Sequence, residues 1–229
     1  HSVGEYSALV AAGSLTLEDA VLAVKNRGKA MQDATPPGVG KMFAIMRVPS
    51  EIVAKACEVS STDDNKVMAA NFNEPNQTVI SGHGEACQRA VNWITENFEG
   101  RSRAIELKVS APFHSSLMKP AEHKLNTFFD SISIKENEIP YVANINTEEY
   151  PKGTSGNIIR ENLVKQVCGS VLWSQSIAQL NENEIFIEVG PGKVLTGLNK
   201  KINKEFKTYA LDSEKGFEGL MEFLNECTI

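Results

Sequence analysis

Between Lys41 and Val109 the apolar pattern switches repeatedly between the two-residue period of a strand and the 3.6-residue period of a helix. Residues 42–48, 67–71, 77–81 and 103–109 read as strands, and residues 50–59 and 84–97 as helices. The polar turn Asn73-Glu74-Pro75-Asn76 separates the middle two strands. The order strand-helix-strand-strand-helix-strand within ~70 residues predicts a ferredoxin-like sheet with two helices on one face. Few other topologies accept that succession.

On either side the pattern differs. Thr16 with Asp19 reads as a helix cap, opening a helix that runs to about Asp33 and carries Val21, Val24, Gly28 and Met31 on its expected inner face. Arg27 falls on or beside that apolar stripe. Pro36-Pro37-Gly38 and Gly40 mark a boundary. After Ser110, helices are expected at 119–131, 158–168, 171–180, 194–203 and 216–226, and strands at 140–144, 184–189 and 209–211. Alternating strands and helices imply a mostly parallel sheet with both faces covered. The expected fold class is therefore α/β: a mostly parallel-sheet, hydrolase-like large subdomain formed by residues 1–40 and 110–229, with a ferredoxin-like small subdomain inserted at residues 41–109.

His1-Ser2-Val3-Gly4-Glu5-Tyr6 matches a Gly-x-Ser-x-Gly nucleophile elbow from its second residue onward. In such an elbow Ser2 is the nucleophile, and the start of the following helix favours negative charge developing beside it. The same string also suits a serine that only caps a helix. A serine nucleophile needs a base, and the sequence offers His1, His83, His114 and His123. His114 lies in a loop at a subdomain boundary and is the best placed of the four. His123 falls within a helix, His83 in a Gly-His-Gly turn, and His1 is expected to point away from Ser2. No histidine follows His123, so the late base of an ordinary α/β-hydrolase is missing. A backbone carbonyl can orient the imidazole instead of an acid, because fixing its tautomer requires only an acceptor. Arg27 has two readings: an internal partner such as Glu5, or a substrate carboxylate bound by its guanidinium fork.

With 229 residues, of which 41% are hydrophobic, the chain can bury a substantial core. A net charge of −6 and the lack of a basic, aromatic-interleaved stretch argue against nucleic acid as a partner. No apolar run approaches the ~20 residues that span a bilayer. Cys57, Cys87, Cys168 and Cys227 form neither a Cys-x-x-Cys pair nor a metal-ligand spacing with histidine, which suggests a reducing compartment and no metal site.

Five blocks, in order, carry a family resemblance: His1-Ser2-Val3-Gly4-Glu5-Tyr6, Arg27-Gly28-Lys29-Ala30-Met31-Gln32, Ala70-Asn71-Phe72-Asn73-Glu74-Pro75-Asn76-Gln77, Ala111-Pro112-Phe113-His114-Ser115-Ser116-Leu117-Met118 and Glu188-Val189-Gly190-Pro191-Gly192-Lys193-Val194-Leu195. Over essentially its whole length the chain resembles the malonyl-CoA:acyl-carrier-protein transacylases of the acyltransferase domain family. The resemblance implies ping-pong malonyl transfer in fatty acid biosynthesis, from malonyl-CoA to the phosphopantetheine thiol of acyl carrier protein. It assigns Ser2 as nucleophile, His114 as base in both half-reactions, the Gln166 carbonyl as the group orienting His114, and Arg27 as the malonyl carboxylate anchor. It makes the Val3 amide an oxyanion donor and places Met31, Phe113 and Val194 in the acyl pocket. In related polyketide synthase domains a Phe before the histidine accompanies malonyl selection and a Ser accompanies methylmalonyl. No permanently bound cofactor is implied; malonyl-CoA and the carrier's phosphopantetheine are substrates. Acyl carrier protein is the expected partner, meeting Lys165, Lys193, Lys200 and Lys201, with neither nucleic acid nor membrane involved. The expected location is the cytoplasm, or an organellar stroma or matrix.

The family's Pro-Gly-Gln-Gly stretch, whose glutamine supplies a second oxyanion donor, precedes the elbow and is not in this sequence. The chain is therefore expected to be a piece of a longer enzyme and inactive by itself. Three other readings stay open: an acyltransferase domain of a polyketide or fatty acid synthase, a serine thioesterase or hydrolase, and an inactive carrier-docking fragment. The end at Ile229, close after the last helix, favours a free-standing protein over a synthase domain.

Overall fold

A computed structural model describes residues 1–181 and 183–227, apart from the side chains of 226 and 227. The last two residues, Ile229 among them, and the Cys227 side chain lie outside the described set. The chain forms two compact units, one from His1 to Trp173 and one from Ser174 onward.

The first unit begins with two helices. Helix α1 (Gly4–Ala11) ends where Gly13 turns left-handed at φ +75° and the Ser14 amide reaches back to the Leu9 carbonyl at 2.9 Å. The left-handed angle at Gly13 favours glycine there, whereas the Glu138 side-chain end, 2.9 Å from where a Cβ would sit, can swing aside. Helix α2 (Leu17–Gln32) opens at Thr16, whose hydroxyl accepts from the Asp19 amide at 3.1 Å as the sequence predicted. Its inner face differs from expectation. Ala20, Ala23, Arg27, Ala30 and Met31 are buried, whereas Val21 is 58% exposed. Small residues let α2 lie close against its neighbours, so contact distance outranked side-chain hydrophobicity in choosing the face.

Next come β1 (Gly40–Met46), α3 (Ser50–Ser60), β2 (Val67–Glu74), β3 (Gln77–His83), α4 (Gly84–Asn97) and β4 (Arg103–Glu106). They build a four-stranded sheet in the order β2-β3-β1-β4, antiparallel throughout, which is the ferredoxin-like arrangement. Strand β1 shows why its residues alternate: Phe43 and Ile45 join the core beneath α3 and α4, and Met42 and Ala44 face the other way. That second face, with Ala70 and Val79, packs against Leu107 and Phe113. Phe113 also packs against the largest core cluster, built on Tyr6, Leu9, Met31, Met118, Leu125, Ile159 and Leu163. The residue before His114 thus joins two hydrophobic layers.

The rest of the first unit consists of α5 (Lys119–Phe128), β5 (Tyr141–Val142), β6 (Glu149–Tyr150) and α6 (Gly156–Gln166). Strand β6 pairs antiparallel with β5 and had no signal in the apolar pattern, being two residues long. Helix α5 is shorter than expected because a 3-10 turn takes over at Phe129–Ser131. An isolated parallel bridge joins Asn71 to Val171.

The first unit ends at Trp173, the first residue of α7 (Trp173–Ala178). In the second unit β7 (Ile185–Glu188) and β8 (Lys207–Ala210) pair in parallel around α8 (Val194–Ile202), followed by α9 (Glu214–Cys227). Parallel strand pairing among the described residues is this pair together with the Asn71–Val171 bridge. The Glu188 carboxylate accepts from the Leu195 and Thr196 amides at 3.1 and 2.7 Å, capping the positive end of α8. The chain is an α/β protein.

Candidate active site

Ser2 lies between His1 and the first turn of α1, half-buried, with Val3 as the helix cap. At this end of α1 the Glu5 amide donates to the His1 carbonyl at 3.2 Å and the Tyr6 amide to the Val3 carbonyl at 3.1 Å, tying the helix start to the residues around Ser2. His1 does more than precede the nucleophile. Its Nδ1 accepts from the Ser2 amide at 3.1 Å, so Nε2 must carry the proton it shares with Asn73 Oδ1 at 2.9 Å. The ring also lies 6.2 Å from that of Trp173. Contrary to the expectation that His1 points away, it ties the Ser2 backbone to the end of β2.

His114 is 4% exposed and sits at φ +56°, a left-handed conformation that costs a non-glycine residue roughly 1–3 kcal/mol. The surrounding loop holds it there: the Ser115 hydroxyl donates to the Pro112 carbonyl at 2.6 Å and the Phe113 amide to the Ala111 carbonyl at 3.0 Å. His114 Nδ1 lies 2.9 Å from the Gln166 carbonyl oxygen. A carbonyl can only accept, so Nδ1 carries the proton and Nε2 keeps its lone pair. Burial, followed by the nearby Arg27 charge, lowers the imidazole pKa to about 4, against the opposing pull of the Gln166 and Gly169 backbone. At neutral pH the ring is an uncharged base. Ser2 Oγ and His114 share no hydrogen bond here; catalytic bonds of this kind commonly shorten only with substrate in place.

Arg27 is 6% exposed and forms no ion pair among the described residues. Its Nη2 donates to the side-chain oxygen of Gln166 at 3.3 Å, and its Nε has no partner. Burial works against the charge, lowering the group's pKa. Glu5, the internal partner considered from the sequence, does not touch Arg27 directly. Its Oε2 accepts from the Asn144 amide at 3.1 Å, from Asn144 Nδ2 at 2.6 Å and from Gln166 Nε2 at 2.7 Å. Burial nevertheless raises the Glu5 pKa.

Three of the sequence-selected residues therefore meet: Arg27 and His114 both bond Gln166, and the Arg27 charge reaches His114, while Phe113 precedes His114 and packs into the adjoining apolar cluster. Met31 is 1% exposed in the main core. Val194 begins α8 in the second unit and is 71% exposed. Glu5 and Asn73 lie in two of the quoted blocks, and Glu5 was considered only as a partner for Arg27; Asn144 and the side chain of Gln166 lie in no block and were not singled out by the sequence. His83 bonds the Lys66 backbone in the sheet, and His123 is exposed on α5.

The acyl transferase domain family matches residues 1–214. The chain belongs to that family. Within it, the malonyl CoA-acyl carrier protein transacylase of Bacillus subtilis is 41% identical over 228 residues, covering 99% of this chain and 70% of the relative. That of Escherichia coli K12 is 41% identical over 224 residues, covering 97% and 71%. Among solved structures, the malonyl CoA-acyl carrier protein transacylase of Clostridium perfringens superimposes with a TM-score of 0.89 at 38% identity, over 99% of this chain and 70% of that one. A malonyl-transacylase solved in complex with a type II polyketide synthase acyl-carrier protein gives a TM-score of 0.86 at 36% identity, over 94% and 69%. Like other features of this acyl transferase chain, the site holds no clustered metal ligands among the described residues. No helix among them is long and apolar enough to cross a membrane.

Proposed function

We propose that this acyl transferase transfers a malonyl group from malonyl-CoA to the phosphopantetheine thiol of acyl carrier protein through an acyl-Ser2 intermediate, in fatty acid biosynthesis. The observation that carries the reading is Arg27: a buried guanidinium beside a neutral base, with its Nε unpaired and no carboxylate in contact. A buried cation of that kind is costly unless something anionic completes it. A malonyl carboxylate one carbon away from a thioester carbonyl has the needed charge and reach.

In the first half-reaction Ser2 Oγ attacks the thioester carbonyl while its proton passes to His114 Nε2. The carbonyl oxygen becomes an oxyanion within reach of the Val3 amide at the start of α1. Collapse expels the coenzyme A thiolate, which takes the proton back from Nε2. In the second half the carrier's thiol gives its proton to Nε2 and attacks the acyl-serine, and Ser2 leaves with that proton. His114 stays uncharged between steps because of its burial, and the Gln166 carbonyl keeps Nε2 as the basic nitrogen throughout.

In this reading Met31 and Phe113 border the acyl group, and residues 1–40 and 110–229 act as the catalytic subdomain with residues 41–109 inserted into it. Acyl carrier protein, which is acidic, meets basic side chains such as Lys165, Lys193, Lys200 and Lys201. Malonyl-CoA and phosphopantetheine are substrates, and no resident cofactor takes part. The compartment is the cytoplasm or an organellar stroma or matrix.

The test is acyl loading of the intact enzyme followed by mass spectrometry, with malonyl-CoA or acetyl-CoA and with or without acyl carrier protein. Arg27→Ala is expected to reduce malonyl loading by about a hundredfold and acetyl loading far less. Equal losses with both thioesters would remove Arg27 from the role of anchor. Release of the malonyl group to water at the same rate with and without carrier would replace transfer by hydrolysis.

A further inference from the structure

We propose that Glu5 is a positioning residue for Arg27, acting through the side chain of Gln166, and that this bridge sharpens the preference for acyl groups bearing a carboxylate. The inference rests on the reading of Arg27 as the carboxylate anchor.

Gln166 is fully buried at the end of α6 and is used at both of its polar ends. Its backbone carbonyl accepts from His114, and its side-chain amide lies between Glu5 and Arg27. The orientation of that amide decides what Arg27 meets. With Oε1 forward the guanidinium finds an acceptor; turned over, it would face an NH2 group, and two donors would oppose each other. A carboxylate can only accept. Glu5 therefore selects the orientation, by taking Gln166 Nε2 at 2.7 Å and leaving Oε1 for Arg27 Nη2 at 3.3 Å.

Glu5 is itself held at the first turn of α1 by the two Asn144 donors, which converge with Gln166 on Oε2 alone. Three donors on Oε2 oppose the burial that raises the Glu5 pKa, while Oε1 is buried without a partner; Oε2 accepts from Gln166 Nε2 in either protonation state. The arrangement separates two tasks that a direct ion pair would merge. A carboxylate seated on the guanidinium fork would occupy the place the substrate needs, whereas a carboxylate one amide removed steadies the cation and leaves part of the fork unfilled. The unpartnered Arg27 Nε is the trace of that vacancy.

The experiment measures malonyl and acetyl loading of the intact enzyme for Glu5→Gln, for Arg27→Ala and for the double variant. Glu5→Gln keeps the shape and an acceptor oxygen but removes the charge and the constraint on Gln166. Its expected effect is a fall of about tenfold in kcat/KM for malonyl-CoA, carried mainly by KM, against a fall of no more than about threefold for acetyl-CoA. In the Arg27→Ala background the same change should alter malonyl loading by no more than about twofold, because the group it positions is gone. The pH profile of acetyl loading should not move, since the Gln166 carbonyl still holds His114. Equal losses on both thioesters, or full additivity with Arg27→Ala, would overturn the proposal. Gln166→Met probes the bridge from its other end by deleting the amide, and a loss of malonyl loading at least as large as that of Glu5→Gln is expected. Should neither variant fold, the bridge is structural and the proposal fails. If Arg27→Ala itself does not discriminate between the thioesters, the anchor reading falls; if it does and Glu5→Gln does not, only the role of Glu5 falls.

Discussion

Both parts of the first unit have apolar cores, but the part built around α1 and α2 also buries a cluster of charged and amide side chains. Beneath α3 and α4 the interior is apolar: Val53, Ala56, Ile80, Ala86 and Ala90 are fully buried and pack against Phe43 and Ile45. Around α1, α2 and the 111–115 loop the interior holds Glu5, Arg27, His114, Asn144 and Gln166, all under a tenth exposed. The first kind of interior stabilises the fold by roughly 25 cal/mol for each Å² of apolar surface removed from water. The second costs stability through desolvated charge and a left-handed histidine, offset by the hydrogen bonds among Glu5, Asn144, Gln166 and Arg27, while Glu5 Oε1 and Arg27 Nε have no partner. Stability and chemistry thus occupy neighbouring regions of one unit. Phe113 packs against the largest apolar cluster and against the face of the sheet turned away from α3 and α4.

That contrast can be broken at several points. The largest effect is expected from Ser2→Ala, which should abolish the acyl-enzyme adduct seen by mass spectrometry and reduce transfer by about 10⁴-fold or more, with the melting temperature unchanged. A clear fall in melting temperature would mean that Ser2 belongs to the structural side of the comparison.

The opposite pattern is expected in the apolar region. Ile80→Ala should cost about 2–5 kcal/mol in urea unfolding because the packed sheet cannot collapse around the cavity, while kcat of the folded fraction is kept. A large loss of kcat with little loss of stability would erase the distinction drawn here.

The pH response of His114 tests the polar region more finely. Its folded pKa, about 4, lies below the ordinary 6.5, so the unfolded chain binds this proton first as pH falls. Stability from this group is complete above pH 6.5 and declines as pH drops toward 4, by about 3 kcal/mol in all. His114→Gln should flatten that slope in unfolding titrations. By the same depression, malonyl loading should change little between pH 7 and about 5.5, where an ordinary imidazole would already be mostly protonated. A midpoint near 6.5 in kcat/KM would contradict the burial argument.

The smallest expected effect belongs to neither region. Thr16→Ala removes the acceptor at the start of α2 and should cost about 1 kcal/mol in thermal unfolding with no change in the malonyl-to-acetyl ratio. A shift in that ratio would show that Arg27, eleven residues further along the same helix, feels the helix start.

The ferredoxin-like order and the Thr16 cap were legible because each depends on local periodicity or on the chemistry of a few adjacent residues. Ser2 before a helix and His114 in a boundary loop were legible for the same reason. The buried face of α2 was misjudged at Val21, since hydrophobicity ranks residues without knowing how closely the next helix approaches. The two-residue strand β6 is too short to show a period, although its partner β5 falls within the strand expected at 140–144.

By itself, then, the amino-acid sequence determined the α/β class, the ferredoxin-like sheet, a serine before a helix, a histidine in a loop and an arginine on a helix face. Only tertiary structure decided what those residues meet. Gln166 reaches Glu5 from 161 positions away and Arg27 from 139, separations at which no local pattern carries information. The proton on Nδ1 of His114, the unpaired Nε of Arg27 and the three donors converging on Glu5 all follow from those long-range contacts. A charge's role is set by the groups around it once water has been removed, and which groups those are is a property of the packed chain.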